Sequence, residues 1–422
     1  MEFRELTDAE YRGFLDRQDR VYVSQLIEYG DAREGENVNV QRVGLVDDGK
    51  VLGAAMINEQ PWMKLFKRSI AYFGPSVDFN DIEMATRFME GLKNWVKHDP
   101  RVLSLRVNPY VIRRPYDGLT PGKDTEEARA FEEVMKRTGG VEVKGDYFRD
   151  GTSVAASYLY TKDLAGLDYK QAIASTGNNV RAGVRKAASN DIRIEYAEPS
   201  DESFKILRDI LDHTAERTEM PEVDDIALVR SRRMMELMGP EKFLFPIAIL
   251  DTKDTLVTID SEIAATESEI AKFEAMAEEG ELSKKHANQL KQFQNQHGAL
   301  LRRREKTLEV QETHGERVVL TASQFIETPT DMIFYHSGGY SDLADYRGIY
   351  AVHDAMIKRA IDRGLRWYNL NVIPGSFEEG EPGYGLVDYK SNFHGEVEEL
   401  VGSYDFAIRP KLAKRLGAID EE

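Results

Sequence analysis

The chain has 422 residues, a formal net charge of −18 and no cysteine. The lack of cysteine excludes disulfide bonds, thiolate zinc sites and cysteine nucleophiles, and the acidic charge disfavours indiscriminate binding to nucleic acid or adsorption to anionic lipid. No run of about 18 uncharged apolar residues occurs, and the charged segment 1–19 lacks a secretory-signal pattern, so we expect a cytoplasmic protein.

The first 150 residues alternate between signals for helices and signals for strands. Capping-box spacing at Thr7 and Glu10 predicts the start of a helix, and Asp48-Gly49 between two apolar runs predicts a β-hairpin. Further predicted elements are a helix ending before Pro100, a strand over 102–107 and a helix over 124–138. We therefore predict a first α/β subdomain over residues 1–150.

A second round of the same pattern follows. The predicted helices cover 169–188, 200–218, 224–238 and 345–363, and the predicted strands include 243–250, 318–326 and 332–336. The repetition predicts an α/β (α+β) fold made of two similar units. The second subdomain is expected to span residues 151–252 and 314–422.

Residues 253–313 interrupt the second subdomain with a charged, proline-free segment. Its apolar residues recur at alternating spacings of three and four, which predicts an antiparallel coiled-coil hairpin. One interpretation is a structural protrusion or a dimerisation hairpin, and another is a lever that holds a large ligand. Arg302, Arg303, Arg304 and Lys306 are candidate nucleic-acid contacts, although such clusters are usually solvated faces.

Few residues show a pattern that indicates chemistry. The histidines lack metal-ligand spacing, and neither a Walker loop nor a Gly-x-Ser-x-Gly elbow occurs, so we expect no metal and no cofactor. Lys390 lies in a run, 386–393, that we predict to be a strand. A cation on a rigid strand can stabilise negative charge on a carbonyl oxygen, and an ordinary surface lysine is the alternative. Arg33, Arg181 and Arg185 are candidate phosphate ligands, with surface charge again the alternative.

Several blocks of the sequence resemble those of one enzyme family. They are Val23-Ser24-Gln25 with Tyr29 and Arg33, Tyr72-Phe73-Gly74-Pro75, Arg106-Val107-Asn108-Pro109, Tyr335-His336-Ser337-Gly338-Gly339, Trp367-Tyr368-Asn369, the basic helix carrying Arg181 and Lys186, and the run 384–395. The chain resembles the Fem-type aminoacyltransferases, non-ribosomal peptidyl transferases that build branches on peptidoglycan precursors. The resemblance covers nearly the whole chain, including the coiled-coil insertion.

The resemblance implies two acetyltransferase-like (GNAT-like) subdomains with a cleft between them. It implies transfer of an amino acid from aminoacyl-tRNA to the side-chain amine of the stem peptide, in lipid II or its nucleotide-linked precursor. The expected partners are therefore aminoacyl-tRNA and the precursor. Membrane contact is expected through the lipid-linked substrate, which would bring the protein to the inner face of the plasma membrane.

The resemblance also implies roles for single residues. It places Lys390 and Tyr335 at the transfer site as catalytic residues, and Arg33 at the precursor diphosphate. The remaining implied substrate-binding residues are Tyr29, Arg181, Arg185, Tyr389 and Asn108. If the nucleic acid is tRNA, the basic cluster of the hairpin, Arg302, Arg303, Arg304 and Lys306, is its candidate contact. Two departures occur: Asn108 stands where the family often has aspartate and so cannot act as a general base, and Arg230 is a candidate replacement for a family arginine.

The aminoacyl ester of a charged tRNA is already activated. Attack by an amine therefore needs orientation, deprotonation and stabilisation of the oxyanion, but neither a metal nor a covalent enzyme intermediate. An acyl-CoA-dependent N-acyltransferase of the same fold is the second interpretation, although its glycine-rich pyrophosphate loop is not found. A non-catalytic scaffold that recruits cell-wall enzymes through the coiled coil is the third.

Overall fold

The computed structural model describes residues 1–145, 156–218 and 223–419. The strands are β1 Glu2–Glu5, β2 Asn39–Asp47, β3 Lys50–Trp62, β4 Phe66–Phe73, β5 Ser76–Val77, β6 Val102–Pro109, β7 Ile112–Asp117, β8 Thr120–Pro121, β9 Val141–Val143, β10 Tyr158–Asp163, β11 Arg193–Tyr196, β12 Phe243–Leu244, β13 Pro246–Asp251, β14 Arg317–Glu327, β15 Asp331–Gly339, β16 Trp367–Val372, β17 Glu396–Leu400 and β18 Ser403–Ala407.

Thirteen α-helices are described, and they lie between the strands along the chain. They are α1 Asp8–Leu15, α2 Ile27–Ala32, α3 Ile82–Lys97, α4 Glu126–Thr138, α5 Tyr169–Ala174, α6 Asn178–Ser189, α7 Asp201–Thr218, α8 Asp225–Met238, α9 Thr252–Glu279, α10 Lys284–His314, α11 Gly348–Asp362, α12 Tyr384–Ser391 and α13 Pro410–Arg415. Short 3-10 turns occur at Val23–Gln25 and Ala344–Tyr346. None of these described helices combines the length and the apolar character needed to cross a membrane.

The first sheet has the order β1-β2-β3-β4-β6-β18-β9, with β5 paired to β3. Strands β4 and β6 are parallel and are connected through α3, whereas β2, β3 and β4 pair antiparallel. Helix α3 begins at Asp81, whose side chain accepts a hydrogen bond from the Met84 amide, and it buries Phe88, Met89 and Leu92 against the sheet. That spacing gives the helix one continuous apolar face.

The second sheet repeats this plan in the order β11-β13-β14-β15-β16-β10-β17-β7-β8, with β12 paired to β14. Here β15 and β16 form the parallel pair and α11 connects them, after the antiparallel strands β13 and β14. An antiparallel run that ends in a parallel crossover therefore occurs in both sheets. The expected α/β fold of two similar units is confirmed.

The two sheets exchange strands near their common boundary. Strand β18 pairs with β6 and β9 in the first sheet, although it follows β17 of the second sheet. Strands β7 and β8 extend the second sheet through β17, although they follow β6. The predicted subdomain boundaries at residues 150, 252 and 314 do not include this exchange of strands. The division into subdomains stays a prediction, and the boundary at 150/151 lies outside the described residues.

The predicted helical hairpin is confirmed as α9 and α10. The helices run antiparallel, because Phe273 stacks on Phe293 at 6.0 Å near the tip and Asp260 accepts a hydrogen bond from Arg304 at 2.6 Å near the base. At about 1.5 Å per residue, each helix is roughly 40 Å long. Strand β13 leads into the helical hairpin and β14 follows it, and these two strands are neighbours in the second sheet. The hairpin therefore extends from the sheet without changing the order of its strands.

The strand predicted for residues 386–393 is wrong, because α12 covers residues 386–391 and a turn follows it. Gly383 precedes the helix with a left-handed backbone (φ 82°), a conformation that glycine adopts without steric cost. Val387 and Lys390, three residues apart, are both buried on the inner face of α12. A helix of eight residues is too short for its 3.6-residue period to stand out against alternation.

Candidate active site

A cleft of about 1580 Å³ lies between the two sheets. It opens where the parallel strands β15 and β16 separate. They pair only through the register Asp331↔Trp367 to Ile333↔Asn369, after which β15 continues along β14 and β16 along β10. The side chains that line the gap include Tyr22, Tyr29, Arg33, Gln60, Tyr72, Arg217, Arg230, Tyr335, His336, Asn371, Val372, Tyr384, Tyr389 and Lys390. Both sheets therefore contribute to one site.

Lys390 reaches this cleft from the inner face of α12. Its side chain donates a hydrogen bond from Nζ to the carbonyl oxygen of Val372 at 2.7 Å, at the end of β16, and the residue is 4% exposed. Burial lowers the pKa of Lys390 to about 7, because desolvation disfavours the charged ammonium. Lys390 can thus both accept and donate a proton near neutral pH.

Hydrogen bonds that link the side chains of Tyr389, His353 and Tyr368 fix the position of Tyr389, the residue next to Lys390. The Tyr389 hydroxyl lies 2.6 Å from Nε2 of His353, and Nδ1 of the same ring lies 2.6 Å from the Tyr368 hydroxyl. Burial, assisted by the charge of Lys390, lowers the pKa of His353 to about 3, so this imidazole is neutral. A neutral imidazole donates from one nitrogen and accepts at the other. These hydrogen bonds hold α12 against α11 and set the position of Tyr389 in the cleft.

Elsewhere in the cleft lining, one carboxylate binds two arginines that come from different parts of the fold. Glu36 accepts hydrogen bonds from Nε of Arg33 at 3.0 Å and from Nε of Arg230 on α8 at 2.7 Å. Arg33 also donates to Asn58 at 3.0 Å, and the Tyr29 ring lies within 6.0 Å of both guanidinium groups. The structure therefore brings Arg33 and Tyr29 together with Arg230.

Tyr335 lines the same cleft from β15. Its ring is 4.2 Å from that of His336, and its carbonyl oxygen is 3.4 Å from Nδ2 of Asn371. Burial lowers the pKa of His336 to about 4, with a smaller contribution from Arg230, so His336 is neutral. Sequence reasoning missed His336 and Glu36 as lining residues, because neither belongs to a spacing that indicates a ligand.

Three predicted substrate-binding residues do not line the cleft. Arg181 donates to backbone carbonyls just before its own helix α6, and Arg185 is exposed on the same helix. Asn108 is 3% exposed on β6. With its amide turned so that Nδ2 donates to Ala71 O at 3.1 Å, its Oδ1 accepts from Phe73 N at 3.2 Å. Asn108 thus holds the end of β4, and its role in substrate binding, like those of Arg181 and Arg185, stays a prediction.

The basic cluster of the helical hairpin lies on α10, outside the cleft lining. Arg303, Arg304 and Lys306 have acidic partners at 3.6, 2.6 and 2.6 Å, which are, in order, Glu262, Asp260 and Asp345. Arg302 is exposed and forms no ion pair with any residue that the structure describes. Much of the cluster's charge is therefore compensated within the fold.

Within residues 1–145, 156–218 and 223–419, no group of three or more histidine, cysteine or acidic side chains is placed to hold a metal ion. The cleft's polar groups include a buried amine, guanidinium groups, phenols, one imidazole and the carboxylate of Glu36. These groups suit proton transfer and binding of anions.

Comparison with known proteins identifies the family and the fold. The FemAB family matches residues 6–420. Aminoacyltransferase FemA of Staphylococcus epidermidis is 24% identical over 96% of this chain and 95% of its own length, and FemA of Staphylococcus aureus strain MRSA252 is 23% identical over 96% and 94%. The crystal structure of FemX superposes with a TM-score of 0.80 at 17% identity, covering 98% of this chain and 99% of FemX, so the fold is shared. The relatives' name confirms the expected enzyme class, and the chain belongs to the FemAB family.

Proposed function

We propose that the chain transfers an amino acid from aminoacyl-tRNA to the side-chain amine of the stem peptide in a peptidoglycan precursor, lipid II or its nucleotide-linked form. The name shared by the FemA relatives supports aminoacyl transfer. The observation that carries the proposal is Lys390, a buried amine with a pKa of about 7 in a cleft of about 1580 Å³. A cleft of this size can receive both the acyl donor and the acceptor.

Lys390 supplies two of the three things that aminolysis of the ester needs, namely deprotonation of the amine and stabilisation of the oxyanion. Its neutral amine accepts the proton that the attacking acceptor amine releases as the new N–C bond forms. The resulting ammonium donates a hydrogen bond to the carbonyl oxygen, which is negatively charged in the tetrahedral intermediate. When the ester C–O bond breaks, the proton passes to the ribose oxygen of the tRNA, which leaves as a hydroxyl.

The other lining residues position the substrates. Tyr335 on β15 and Tyr389 on α12 provide phenol groups in the cleft lining. Arg33 and Arg230 provide guanidinium groups, which bind phosphate oxygens in a fixed fork. These two arginines form the binding site for the precursor's diphosphate, and their bonds to Glu36 rearrange when the anion binds.

The transfer rate is expected to rise with pH through about 7, because the neutral form of Lys390 is populated above its pKa. The acceptor amine, with a pKa near about 10, is mostly protonated over this range, so its neutral fraction adds a steady rise with pH but no inflection near 7. The measurement is kcat/KM for transfer from about pH 5.5 to about pH 9. Lys390→Arg, which keeps its charge throughout this range, should lack the inflection. A rate that falls above pH 7 would contradict the proton-acceptor role.

The reaction itself is tested by incubating the chain with a mixture of charged tRNAs and either lipid II or the nucleotide-linked precursor. We expect loss of the aminoacyl ester and an increase in stem-peptide mass equal to one or more amino-acid residues. An N-acyltransferase would instead consume acyl-CoA, and a scaffold would consume neither donor. Absence of transfer with every charged tRNA would contradict the proposal.

The tRNA contacts of the helical hairpin stay a prediction that a matched pair of variants can test. Arg302→Ala is expected to weaken charged-tRNA binding by about fivefold at low salt, because this exposed cation can approach a phosphate. Arg304→Ala should change binding by less than about twofold, since Asp260 already compensates its charge. Filter binding measures both affinities. Equal affinities for wild type and Arg302→Ala would exclude this contact.

We also propose that the protein works in the cytoplasm at the inner face of the membrane. Charged tRNA is a cytoplasmic donor, and a lipid-linked acceptor is confined to the bilayer surface. Fractionation of cells that express the chain should place part of it with the membrane fraction and release that part in high salt.

A further inference from the structure

The tip of the hairpin between β3 and β4 exposes two large apolar side chains. Met63 is 62% exposed and Leu65 is 74% exposed. Lys64 lies between them and is also exposed. Single exposed apolar residues are common on protein surfaces and need no ligand to explain them. The surroundings of this tip decide whether it has a function.

Helix α13 packs beside this hairpin, although it lies at the far end of the described chain. The indole Nε1 of Trp62 donates a hydrogen bond to the carbonyl oxygen of Leu416 at 3.0 Å. Trp62, Phe66 and Leu416 pack against a small core that contains Leu103 and Ala413. The end of the hairpin and α13 are therefore fixed to one another.

Helix α13 adds positive charge and further apolar surface to the tip. The hairpin–helix patch consists of Met63, Lys64, Leu65, Lys411, Leu412, Lys414 and Arg415, all of them exposed. Its cations form no ion pair within the described part of the chain, whereas neighbouring Lys67 already pairs with Glu59 and Asp99. Segments 62–68 and 409–418 contain no acidic residue, in a chain of net charge −18. The acidic residues 420–422 lie outside the described residues.

We propose that the hairpin–helix patch docks the protein on an anionic phospholipid bilayer. Met63 and Leu65 enter the interfacial layer between headgroups and acyl chains, and the surrounding lysines and Arg415 contact lipid phosphates. The local charge opposes that of the lipid even though the chain as a whole is acidic. A nucleic acid would satisfy the cations but would leave both apolar side chains without a partner, so the patch favours lipid.

The hairpin–helix patch lies close to the cleft, so docking on a bilayer would also position the cleft. Gln60 and Pro61 line the cleft, and the exposed tip begins two residues after Pro61 on the same hairpin. At about 3.3 Å per residue, the tip starts roughly 7 Å beyond the cleft wall. Docking therefore holds the cleft close to the lipid headgroups. The benefit for a lipid-linked acceptor rests on the proposed function, whereas binding to the bilayer does not.

The test is sedimentation of the full chain with phosphatidylcholine vesicles that contain roughly 30% phosphatidylglycerol and no peptidoglycan precursor. We expect binding that weakens as salt is raised, and none to pure phosphatidylcholine. Met63→Ser with Leu65→Ser should lower the vesicle affinity by about tenfold or more, because both apolar side chains lose their transfer into lipid. Lys411→Glu with Lys414→Glu should lower it by more than about fivefold for each residue.

The control is a second pair of exposed apolar residues placed elsewhere. Val229 and Leu237 on α8 are 54% and 52% exposed, and Val229→Ser with Leu237→Ser should leave vesicle binding unchanged. Equal melting temperatures show that each variant is folded. The proposal is overturned if the wild-type protein does not bind the anionic vesicles, or if Met63→Ser with Leu65→Ser binds them as tightly as wild type does. It is also overturned if Lys411→Glu with Lys414→Glu weakens the binding of tRNA but leaves the binding of vesicles unchanged. The vesicles carry no substrate, so binding to them does not depend on the proposed function. A protein that binds the vesicles but transfers no amino acid would support this inference and contradict the proposed function.

Discussion

Replacing Lys390 by methionine is expected to lower kcat for aminoacyl transfer by about 10²- to 10⁴-fold, the range for loss of a general base or an oxyanion donor. Methionine retains the buried aliphatic volume but can neither take a proton nor donate to an oxyanion. The measurement is single-turnover transfer from a charged tRNA to the precursor. A rate within about threefold of wild type would remove Lys390 from the mechanism.

Lys162 offers a matched control for this experiment. It is also 4% exposed, its Nζ also donates to a backbone carbonyl, that of His394 at 3.3 Å, and burial also lowers its pKa. It lies on β10 outside the cleft lining. Lys162→Met should therefore leave transfer within about threefold of wild type, since it removes a buried lysine without touching the site. An equal loss in both variants would indicate a general effect of removing buried amines.

Lys390→Arg separates the two roles proposed for Lys390. Arginine keeps a positive charge at every accessible pH and cannot accept a proton. If stabilisation of the oxyanion dominates, the arginine variant should regain part of the activity that methionine loses. If proton transfer dominates, both variants should be equally slow. The pKa of about 7 favours the second result, because a cation alone does not require a titrating amine.

The sequence predicted the general architecture well because the long elements have strong local signals. The arm has an apolar repeat maintained over two helices of 28 and 31 residues. The helix that follows Asp81 has its cap and its apolar face within one segment. These signals do not depend on distant parts of the chain.

The site was only partly predictable, because its geometry depends on contacts that are remote in sequence. Lys390 was found as a residue, but its helix, its bond to Val372 and its lowered pKa all follow from packing against β16. Glu36 accepts hydrogen bonds from both Arg33 and Arg230, and Arg230 lies on α8, 194 residues after Glu36 in the chain. No local pattern encodes such a pairing.

Replacing Arg20 by methionine is expected to reduce the free energy of unfolding by about 3–5 kcal/mol, the usual result of removing one member of a buried ion network. Arg20 is 10% exposed and pairs with Asp331 at 3.1 Å and with Glu398, whose side chains are 1% and 7% exposed. Tyr110 donates to Glu398 at 2.6 Å within the same network. Without Arg20, two carboxylates stay buried with no cation beside them.

This network lies where β15 and β16 are still paired, before the two strands separate at the cleft. Asp331 begins β15, in the short region where β15 still pairs with β16, and it accepts a hydrogen bond from Nδ2 of Asn369 at 3.0 Å. Arg20 reaches it from the segment between α1 and the first 3-10 turn. The loss of stability should therefore come from separation of the N-terminal segment from the paired base of β15 and β16.

Arg366→Met is the matched control for Arg20→Met. The two arginines both lie on the Trp367 ring, at 4.4 Å for Arg20 and 4.6 Å for Arg366, but Arg366 is 58% exposed and pairs with a half-exposed Asp163. Its loss should cost no more than about 1 kcal/mol. Urea unfolding of both variants measures the difference, and equal losses would show that stacking on Trp367, not the buried carboxylates, accounts for the effect.

The Arg20→Met deficit should also depend on pH. Burial raises the pKa of Asp331 even with Arg20 beside it, and removal of Arg20 should raise that pKa further. A carboxyl group whose folded-state pKa is raised takes up a proton on folding, so its destabilising effect grows as pH rises and declines as pH falls towards the unfolded value of about 3.9. The free energies of unfolding of the wild-type protein and of Arg20→Met should therefore converge at acidic pH. A deficit that stays constant down to about pH 4 would mean that the buried charge of Asp331 is not its cause.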